Sequence, residues 1–178
     1  MSYGQGSNTV RISRSRGLLS GFLLLLLGVW GGLIAFVGPY FHYAYTPDVA
    51  WTYNTQRLWL EILPGAAVFL GGLLLIASSH RLMAMFGAWL AAAAGAWFAL
   101  GTVLSPLWNH GVAMGGSPVA THTSLRVGEQ IGFYTGLGVV VVFLAGTAIG
   151  RLSAVPGRTV AVAPVEEPVA PTEPVSTA

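Results

Sequence analysis

Four long apolar stretches, separated by shorter polar segments, dominate the hydropathy pattern of the chain. A bilayer core about 30 Å thick requires a helix of about 20 apolar residues, and each stretch meets that length. The only charged residue inside them is Glu61, one turn into the second stretch. Because a backbone in hydrocarbon has to satisfy its own hydrogen bonds, such runs predict membrane-spanning helices rather than buried soluble ones. The predicted spans are residues 18–37, 58–77, 82–104 and 131–149.

The segments outside the spans predict a tail at each end of the chain. Residues 1–17 are rich in Ser, Gly and Arg, and residues 153–178 are rich in Pro, Ala, Val and Glu without helical or strand periodicity. Neither composition supports a regular backbone ladder, so both tails are predicted to be disordered. Residues 18–152 then form one transmembrane domain of four helices, which is an all-α fold.

The arginines predict how the chain is threaded through the membrane. Six of the eight fall in the N-terminal tail, the short second connection and the segment after the last span, and two fall in the other connections. The cytoplasmic loops of membrane proteins carry the excess of positive charge. The sequence therefore predicts a multi-pass plasma-membrane protein with both termini cytoplasmic. The first group is Arg11, Arg14, Arg16, Arg81, Arg151 and Arg158, and the second is Arg57 and Arg126.

Composition excludes several classes of site and partner. Hydrophobic residues make up 54% of the chain and charged residues only 8%, whereas an average soluble domain has about 25% charged residues. The chain has no cysteine, which excludes disulfides, thiolate metal sites and thiol nucleophiles. The net charge of +2 comes from short arginine clusters and not from a basic face that could follow phosphates. The expected partner is the lipid bilayer, and nucleic acid is not expected.

The first half of the chain recurs in the second half. Aligned without gaps, residues 28–43 match residues 95–110, and the scarce Trp and Pro both fall in register. The second helices match more loosely, residues 63–82 with residues 133–152. We interpret this as a tandem duplication of a helical hairpin, with a pseudo-symmetry axis along the membrane normal because both copies run in the same direction. The identical pairs are Gly28 and Gly95, Trp30 and Trp97, Leu33 and Leu100, and Pro39 and Pro106.

The sequence SPLW at residues 105–108 ends the first helix of the second hairpin, and GPYF occupies the matching place in the first. Over residues 28–152 this arrangement resembles the SPW-repeat integral membrane proteins of bacteria and archaea, where a Ser-Pro-Trp motif lies in the first helix of each two-helix unit. One detail differs, since Leu107 separates the proline from Trp108. The resemblance implies an integral membrane protein of unassigned biochemical role, and it names no reaction.

Polar side chains that could carry chemistry concentrate in the two connections on the side away from the termini. Each connection region supplies a His, an Arg and a Glu, at offsets of 68, 69 and 68 residues: His42, Arg57 and Glu61 in the first, His110, Arg126 and Glu129 in the second. In a structural interpretation each Arg pairs with the Glu one turn away, the helix dipole favours the carboxylate, and the rings nearby form an interfacial belt. In a functional interpretation the two sets converge in a polar cleft that binds a ligand or acts as a proton-linked switch.

Glu61 is the strongest single candidate in this set, because an ionisable group inside a span is costly and usually has a partner. The nearest such partner in the sequence is Arg57. Imidazole and carboxylate together could hold zinc, but no HExxH or other fixed ligand spacing is present. We therefore predict no metal, no cofactor and no catalytic residue.

The expected function is that of a non-enzymatic accessory or scaffold component of the cell envelope. Two alternatives stay open: a small transporter or channel whose path is lined by the Glu, His and Arg set, and a metal-dependent membrane enzyme. Glycines four residues apart favour close helix packing, and they occur at residues 28 and 32, 132 and 136, and 146 and 150. These faces either seal the four helices together or join the protein to itself or to other membrane proteins.

Overall fold

The structure, a computed structural model, describes residues 15–154, with side chains from residue 18 onward. Its regular elements are helices, which we number α1 to α5: Ser15–Val37, Thr55–Ala77, Arg81–Leu104, Thr123–Phe133 and Thr135–Ser153. Short 3-10 turns, Gly38–Phe41 and Ser105–Leu107, continue α1 and α3. The tails predicted at residues 1–17 and 153–178 lie almost wholly outside the described residues.

Within the described residues, four helical segments are long and apolar enough to cross a bilayer, which confirms the number of predicted spans. The mean hydropathy of their most apolar windows runs from 1.6 to 2.2. The segments are Leu18–Phe41, Thr55–Ala77, Arg81–Leu107 and Thr123–Ser153. Their length and composition indicate a multi-pass membrane protein.

The fourth span differs from its prediction at its start and in its continuity. It begins at Thr123 instead of residue 131, and it is divided at Tyr134, where φ is −126° and ψ is −79°. The first part, α4, has the least apolar sequence of the five helices and buries Glu129 and Phe133, which are four positions apart and share one face. Hydropathy missed this helix because its buried face is narrow and includes a carboxylate.

The helices pack as a four-membered bundle in which each span has two neighbours. α1 packs against α2 and, less extensively, against α5, while α3 packs against α2 and α5. The centre is filled mainly by Ala, Val and Leu side chains, among which Leu24, Val68, Ala88, Ala91, Val141 and Ala145 are buried. Lipid provides no hydrophobic driving force between helices, so close packing of small residues stabilises the bundle.

Glycine allows the closest helix approaches in the bundle. A Cβ built on Gly65 of α2 would lie 2.6 Å from the main-chain nitrogen of Gly32 in α1. A Cβ built on Gly138 of α5 would likewise lie 2.6 Å from the main-chain nitrogen of Ala99 in α3. Both contacts are to backbone, which cannot move aside. By contrast, a Cβ on Gly146 would meet nothing within 4 Å.

The two long connections, residues 38–54 and 105–122, lie together at one end of the bundle, which we call the loop end. They join through an antiparallel bridge between Tyr45 and Pro118. Thr46 N donates to Ser117 O at 3.0 Å, and Val119 N donates to Ala44 O at 3.1 Å. These bonds fix the two connections to each other over the helix ends.

Candidate functional site

Four buried polar side chains lie beneath the connections, and we call them the buried polar cluster: Arg57, Glu61, Glu129 and Tyr134. Glu61 is 3% exposed, and its Oε1 accepts a hydrogen bond of 2.7 Å from the Tyr134 hydroxyl. Its other oxygen, Oε2, is buried and has no hydrogen-bond partner. A buried carboxyl oxygen without a donor is costly, because it has lost water and gained nothing in exchange.

Glu61 sits in an irregular part of α2. Residues Leu58–Ile62 form a π-helix, in which Leu63 N donates to Leu58 O five residues earlier. In this register the donor for Trp59 O would be residue 64, which is a proline and has no N–H. The indole Nε1 of Trp97 in α3 donates to Trp59 O instead, at 2.9 Å. A carbonyl that the membrane interior would leave unsatisfied is thereby paired.

A second tryptophan acts in the same way on the fourth span. The indole Nε1 of Trp30 in α1 donates to Gly132 O at 3.2 Å, just before the break at Tyr134. The break interrupts the regular main-chain hydrogen bonds of the helix, so a side-chain donor is needed there to satisfy a carbonyl. Both helix irregularities that frame the Glu61–Tyr134 contact are therefore held by an indole from a neighbouring helix.

Arg57 is 5% exposed and supports the first connection instead of pairing with Glu61. Its Nη1 donates to Thr52 O and its Nη2 to Pro47 O, both at 2.9 Å. Its main-chain N–H is capped by Asn54 Oδ1 at 2.8 Å, so Asn54 also starts α2. The expected Arg57–Glu61 pair is not formed, because loop carbonyls take the guanidinium and Tyr134 takes the carboxyl.

Glu129 is the most buried member of the cluster, with 1% of its surface exposed. Its Oε2 accepts from Ala120 N at 3.2 Å, and its Oε1 is buried without a partner. The exposed Arg126 donates from Nε to Ala120 O at 2.6 Å. Arg126 and Glu129 therefore bond to the carbonyl oxygen and the N–H of the same loop residue, Ala120. These two bonds replace the Arg126–Glu129 pair that the spacing predicted.

The negative charge of Glu129 acts on two tyrosines of the first connection. Burial raises the pKa of Tyr45 to about 12, and the negative charge of Glu129 adds to the shift. Burial and the same carboxylate also raise the pKa of Tyr43. The Tyr45 ring packs against Phe133 at 5.1 Å and edge-on against Tyr134 at 5.1 Å between centroids. Tyr45 thus packs on the two α4–α5 aromatic residues that lie next to the buried carboxyl groups.

The two predicted histidines lie outside the buried polar cluster. His42 and His110 are both exposed, and both adopt left-handed backbone conformations, with φ of 55° and 52°, shortly after the 3-10 turns. Within residues 15–154 no three His, Asp or Glu side chains come close enough together to hold a metal ion. The arrangement therefore gives the metal-dependent alternative no supporting observation.

Three residues that build the site are not predicted as site residues by the sequence. Tyr134 is 73 positions from Glu61 in the chain, so no local pattern could pair them. Ser105 is fully buried; its Oγ donates to Thr102 O at 2.7 Å and accepts from Met114 N at 2.8 Å, which ties the second connection to the end of α3. For Trp97 the sequence shows only that the residue is repeated at Trp30. Its role as a hydrogen-bond donor to Trp59 O becomes predictable only once it is recognised that Pro64 has no N–H to donate to that carbonyl.

Two cavities open at the loop end. The larger, of about 450 Å³, lies between α2 and α3, and we call it the tryptophan cleft; it is lined by Thr55, Trp59, Trp97, Trp108, Asn109 and Met114. The rings of Trp97 and Trp108 stack with centroids 5.5 Å apart and form one wall. The smaller cavity, of about 10 Å³, is polar and lined by side chains that include Arg57 and Glu61. It is close to the minimum that one water needs.

No protein-family model, curated protein or solved structure matches the chain. The resemblance to SPW-repeat proteins accordingly stays a prediction.

Proposed function

We propose that this protein is a non-enzymatic component of the cell envelope, an accessory or scaffold protein anchored in the plasma membrane. The observation that carries the proposal is the use made of the polar groups at the loop end. Arg57, Arg126 and Glu129 all bond to main-chain groups of the two connections. They hold the two connections, residues 38–54 and 105–122, in place over an apolar bundle, and we call these connections the cap. An ordered cap anchored in the membrane is the structure expected of a binding surface.

The interior below the cap supports the same proposal. Between residues 63 and 77, 82 and 104, and 133 and 150 the sequence has no charged residue. The core of the bundle is instead filled by Ala, Val, Leu and Phe side chains. A path for ions or polar solutes requires polar lining across the membrane, whereas the buried charged side chains among the described residues all lie at the loop end.

We place the loop end on the outer side of the membrane and both termini in the cytoplasm. Arg81 and Arg151 border the turn and the helix end opposite the connections, and Arg11, Arg14, Arg16 and Arg158 lie in the flanking tails. Arg57 and Arg126 alone belong to the loop end. The positive-inside rule favours this orientation.

We also propose that the bundle is two tandem hairpins related by a pseudo-twofold axis along the membrane normal. Equivalent contacts recur when each residue of α1 is matched to the residue of α3 that lies 67 positions later, and each residue of the first connection and α2 to the residue 73 positions later. In this matching the hydrogen bond from the Trp30 indole to Gly132 O corresponds to the hydrogen bond from the Trp97 indole to Trp59 O. An axis of this kind requires each cross-contact to occur twice, once in each direction.

Two further sets of contacts support the same register. The bond from Thr46 N to Ser117 O corresponds to the bond from Val119 N to Ala44 O, again at an offset of 73 residues. The contact of Gly65 with Gly32 corresponds to that of Gly138 with Ala99, at offsets of 73 and 67.

The register changes which residues are regarded as equivalent. Glu61 corresponds to Tyr134, 73 residues later, and no longer to Glu129. Glu61 and Tyr134 contact each other, so their hydrogen bond lies where the axis would pass. The offset rises from 67 in α1 to 73 at Ala44, so the second copy has six more residues between these two points, which a gap-free comparison of the sequence does not accommodate.

A transporter is the second candidate, and one observation favours it. Glu61 Oε2 and Glu129 Oε1 are buried carboxyl oxygens without donors, and unsatisfied ionisable groups in membrane segments often mark proton or ion sites. In this alternative the two carboxyls take up a proton or cation from the loop end.

Flux measurements on the purified protein in lipid vesicles separate the two candidates. A scaffold gives no proton flux above that of empty vesicles under a pH gradient. A transporter gives flux that Glu61→Gln abolishes, and such a result would overturn the scaffold proposal.

Crosslinking in cells tests the scaffold directly. A photoreactive residue at Tyr53, which is 63% exposed on the first connection, is expected to give a discrete protein adduct. The matched control is the same residue at Phe86, which is 59% exposed on the apolar part of α3 and is expected to label lipid. Absence of any protein adduct at Tyr53 would count against a scaffold that acts through its cap.

A further inference from the structure

The smaller cavity at the loop end, which we call the polar cavity, is lined by Glu61, whose Oε2 is buried and has no hydrogen-bond partner. The cavity joins three parts of the fold, since its lining also includes Thr46 of the first connection, Gly115 of the second and Gln56 of α2. The Tyr134 hydroxyl that bonds to Glu61 Oε1 lies 3.5 Å from Gly115 O. A main-chain carbonyl oxygen is therefore close to the Glu61 carboxyl group at the cavity wall.

The buried polar cluster carries more negative than positive charge. Glu61 and Glu129 are its two carboxylates, and Arg57 is the only buried cationic side chain among the described residues. Burial, and then the negative charges of Glu129 and Glu61, raise the pKa of Tyr45, which lines the cavity, to about 12. Both carboxylates thus act on the cavity wall. Arg126 is exposed, so water screens its charge. An uncompensated charge in a buried site is costly, which favours a bound cation.

Glu61 and Tyr134 both lie where a helix is irregular. Glu61 belongs to the π segment Leu58–Ile62, and Tyr134 is the residue at which the fourth span is broken. In membrane transporters, cation sites are typically formed by interrupted helices, where main-chain carbonyls coordinate the ion. The polar cavity has the same features, since two irregular helices meet beside it and Gly115 contributes a carbonyl oxygen.

We propose that the polar cavity binds one small monovalent metal cation, such as Na⁺, against Oε2 of Glu61. Hard cations prefer oxygen ligands. The expected ligands are the Glu61 carboxylate, the Gly115 carbonyl and the side-chain oxygens of Thr46 and Gln56. One positive charge balances the cluster, whereas a divalent ion would leave it positive. A cavity of about 10 Å³ accepts one particle the size of a water molecule, and Na⁺ is no larger.

Arg57 lines the same cavity, but its guanidinium is bonded elsewhere. Nη1 and Nη2 donate to Thr52 O and Pro47 O, so these nitrogens leave Oε2 of Glu61 without a donor. The proposed site needs one carboxylate and neutral oxygens, and not the His and acidic ligands of a zinc site. An ion there connects both parts of the cap to α2. The site does not depend on the scaffold proposal.

The test uses the purified full-length protein in detergent micelles at neutral pH. Its melting temperature is measured while Na⁺ replaces N-methyl-D-glucamine, a cation too large for the cavity, at constant ionic strength. We expect a saturable rise, because a ligand that binds only the folded state stabilises that state. The rise should reach about 5–10 °C when the concentration of Na⁺ is about one hundred times its Kd.

Variants locate the site. Glu61→Gln removes the charge at nearly constant size and is expected to abolish the Na⁺-dependent rise. Glu129→Gln keeps every proposed ligand but removes the excess negative charge, so the Kd for Na⁺ should increase roughly tenfold. Asp48→Asn is the matched control, because it neutralises an exposed carboxylate of the first connection and should leave the rise unchanged. Should Glu61→Gln fail to fold, Gln56→Leu removes one ligand from an exposed position and should increase the Kd roughly tenfold.

Three results would overturn the proposal. A melting temperature that does not depend on Na⁺ would mean that water or a proton is sufficient at Oε2 of Glu61. A rise that survives Glu61→Gln would place the ion elsewhere, and loss of the rise in Asp48→Asn would show a diffuse effect of surface charge. Na⁺ flux in lipid vesicles, together with a rise that Glu61→Gln abolishes, would support the site and overturn the scaffold proposal.

Discussion

The hydroxyl of Tyr134 donates a 2.7 Å hydrogen bond to Oε1 of Glu61, joining the break in the fourth span to the π segment of α2. Neither helix is regular where the two side chains meet. π segments inside α-helices are often found at functional sites, and here the irregularity brings a carboxyl group to the centre of the bundle. The loop end is thus organised around a contact between residues far apart in the chain.

Tyr134→Phe is expected to lower the free energy of unfolding by about 1–3 kcal/mol, because it leaves both oxygens of the buried Glu61 carboxyl without a donor. Glu61→Leu in the same background removes the orphaned group, so the double variant is expected to be more stable than Tyr134→Phe alone. A double-mutant cycle in mixed micelles measures this coupling. Additive effects of the two substitutions would contradict the pairing.

Arg57→Met is expected to release the first connection from the bundle. The substitution removes both guanidinium bonds to Pro47 O and Thr52 O, and hydrogen bonds to charged groups contribute about 1.5–3 kcal/mol. Hydrogen exchange of residues 48–52 should accelerate. Arg126→Met is the matched control, since Arg126 is exposed and makes one such bond, in the other connection. Unchanged exchange in Arg57→Met would show that other contacts hold the loop.

Hydropathy was sufficient to predict the number of spans but not the site. Uncharged runs of about 20 residues identify membrane helices because hydrocarbon permits few other backbone structures. The same criterion failed for α4, whose buried face contains Glu129. Of the six predicted site residues, Arg57, Glu61 and Glu129 are buried, while His42, His110 and Arg126 are exposed.

The partners of the buried residues could not be predicted from local spacing. Arg57 and Glu61 are one turn apart, yet each bonds to a group that the folding of the connections brings close: a loop carbonyl in one case and Tyr134 in the other. Side chains one turn apart on a helix can meet, but that contact contributes little to stability when groups elsewhere in the fold offer stronger hydrogen bonds. Long-range geometry therefore decided the site.

Gly65→Ala is expected to destabilise the bundle by about 1–3 kcal/mol, as overpacked cores are. Its Cβ would stand 2.6 Å from the main-chain nitrogen and 2.8 Å from the Cα of Gly32, so α1 and α2 would have to separate. Gly146→Ala in α5 is the control, because its Cβ would meet open space. Thermal melting in detergent compares the two, and equal melting temperatures would refute tight packing at Gly65.

Single cysteines test the orientation in intact cells, and the chain has no native cysteine to interfere. Ser117→Cys in the second connection should react with a membrane-impermeant maleimide, because we place the loop end outside. Ser79→Cys in the turn between α2 and α3 should react only after the membrane is permeabilised. Both positions are exposed, so burial does not explain a difference between them. The reverse labelling pattern would invert the threading.

Trp97→Phe is expected to cost about 1–3 kcal/mol of stability, because it removes the only indole donor to Trp59 O while keeping a ring beside Trp108. Pro64→Ala restores a main-chain N–H that the π register directs to that carbonyl, so Trp97→Phe should cost less than half as much in the Pro64→Ala background. Trp30→Phe is the matched control: its bond is to Gly132 O, so its cost should not depend on residue 64. Equal costs of Trp97→Phe with and without the proline would mean that the indole stabilises the bundle by packing and not by satisfying Trp59 O.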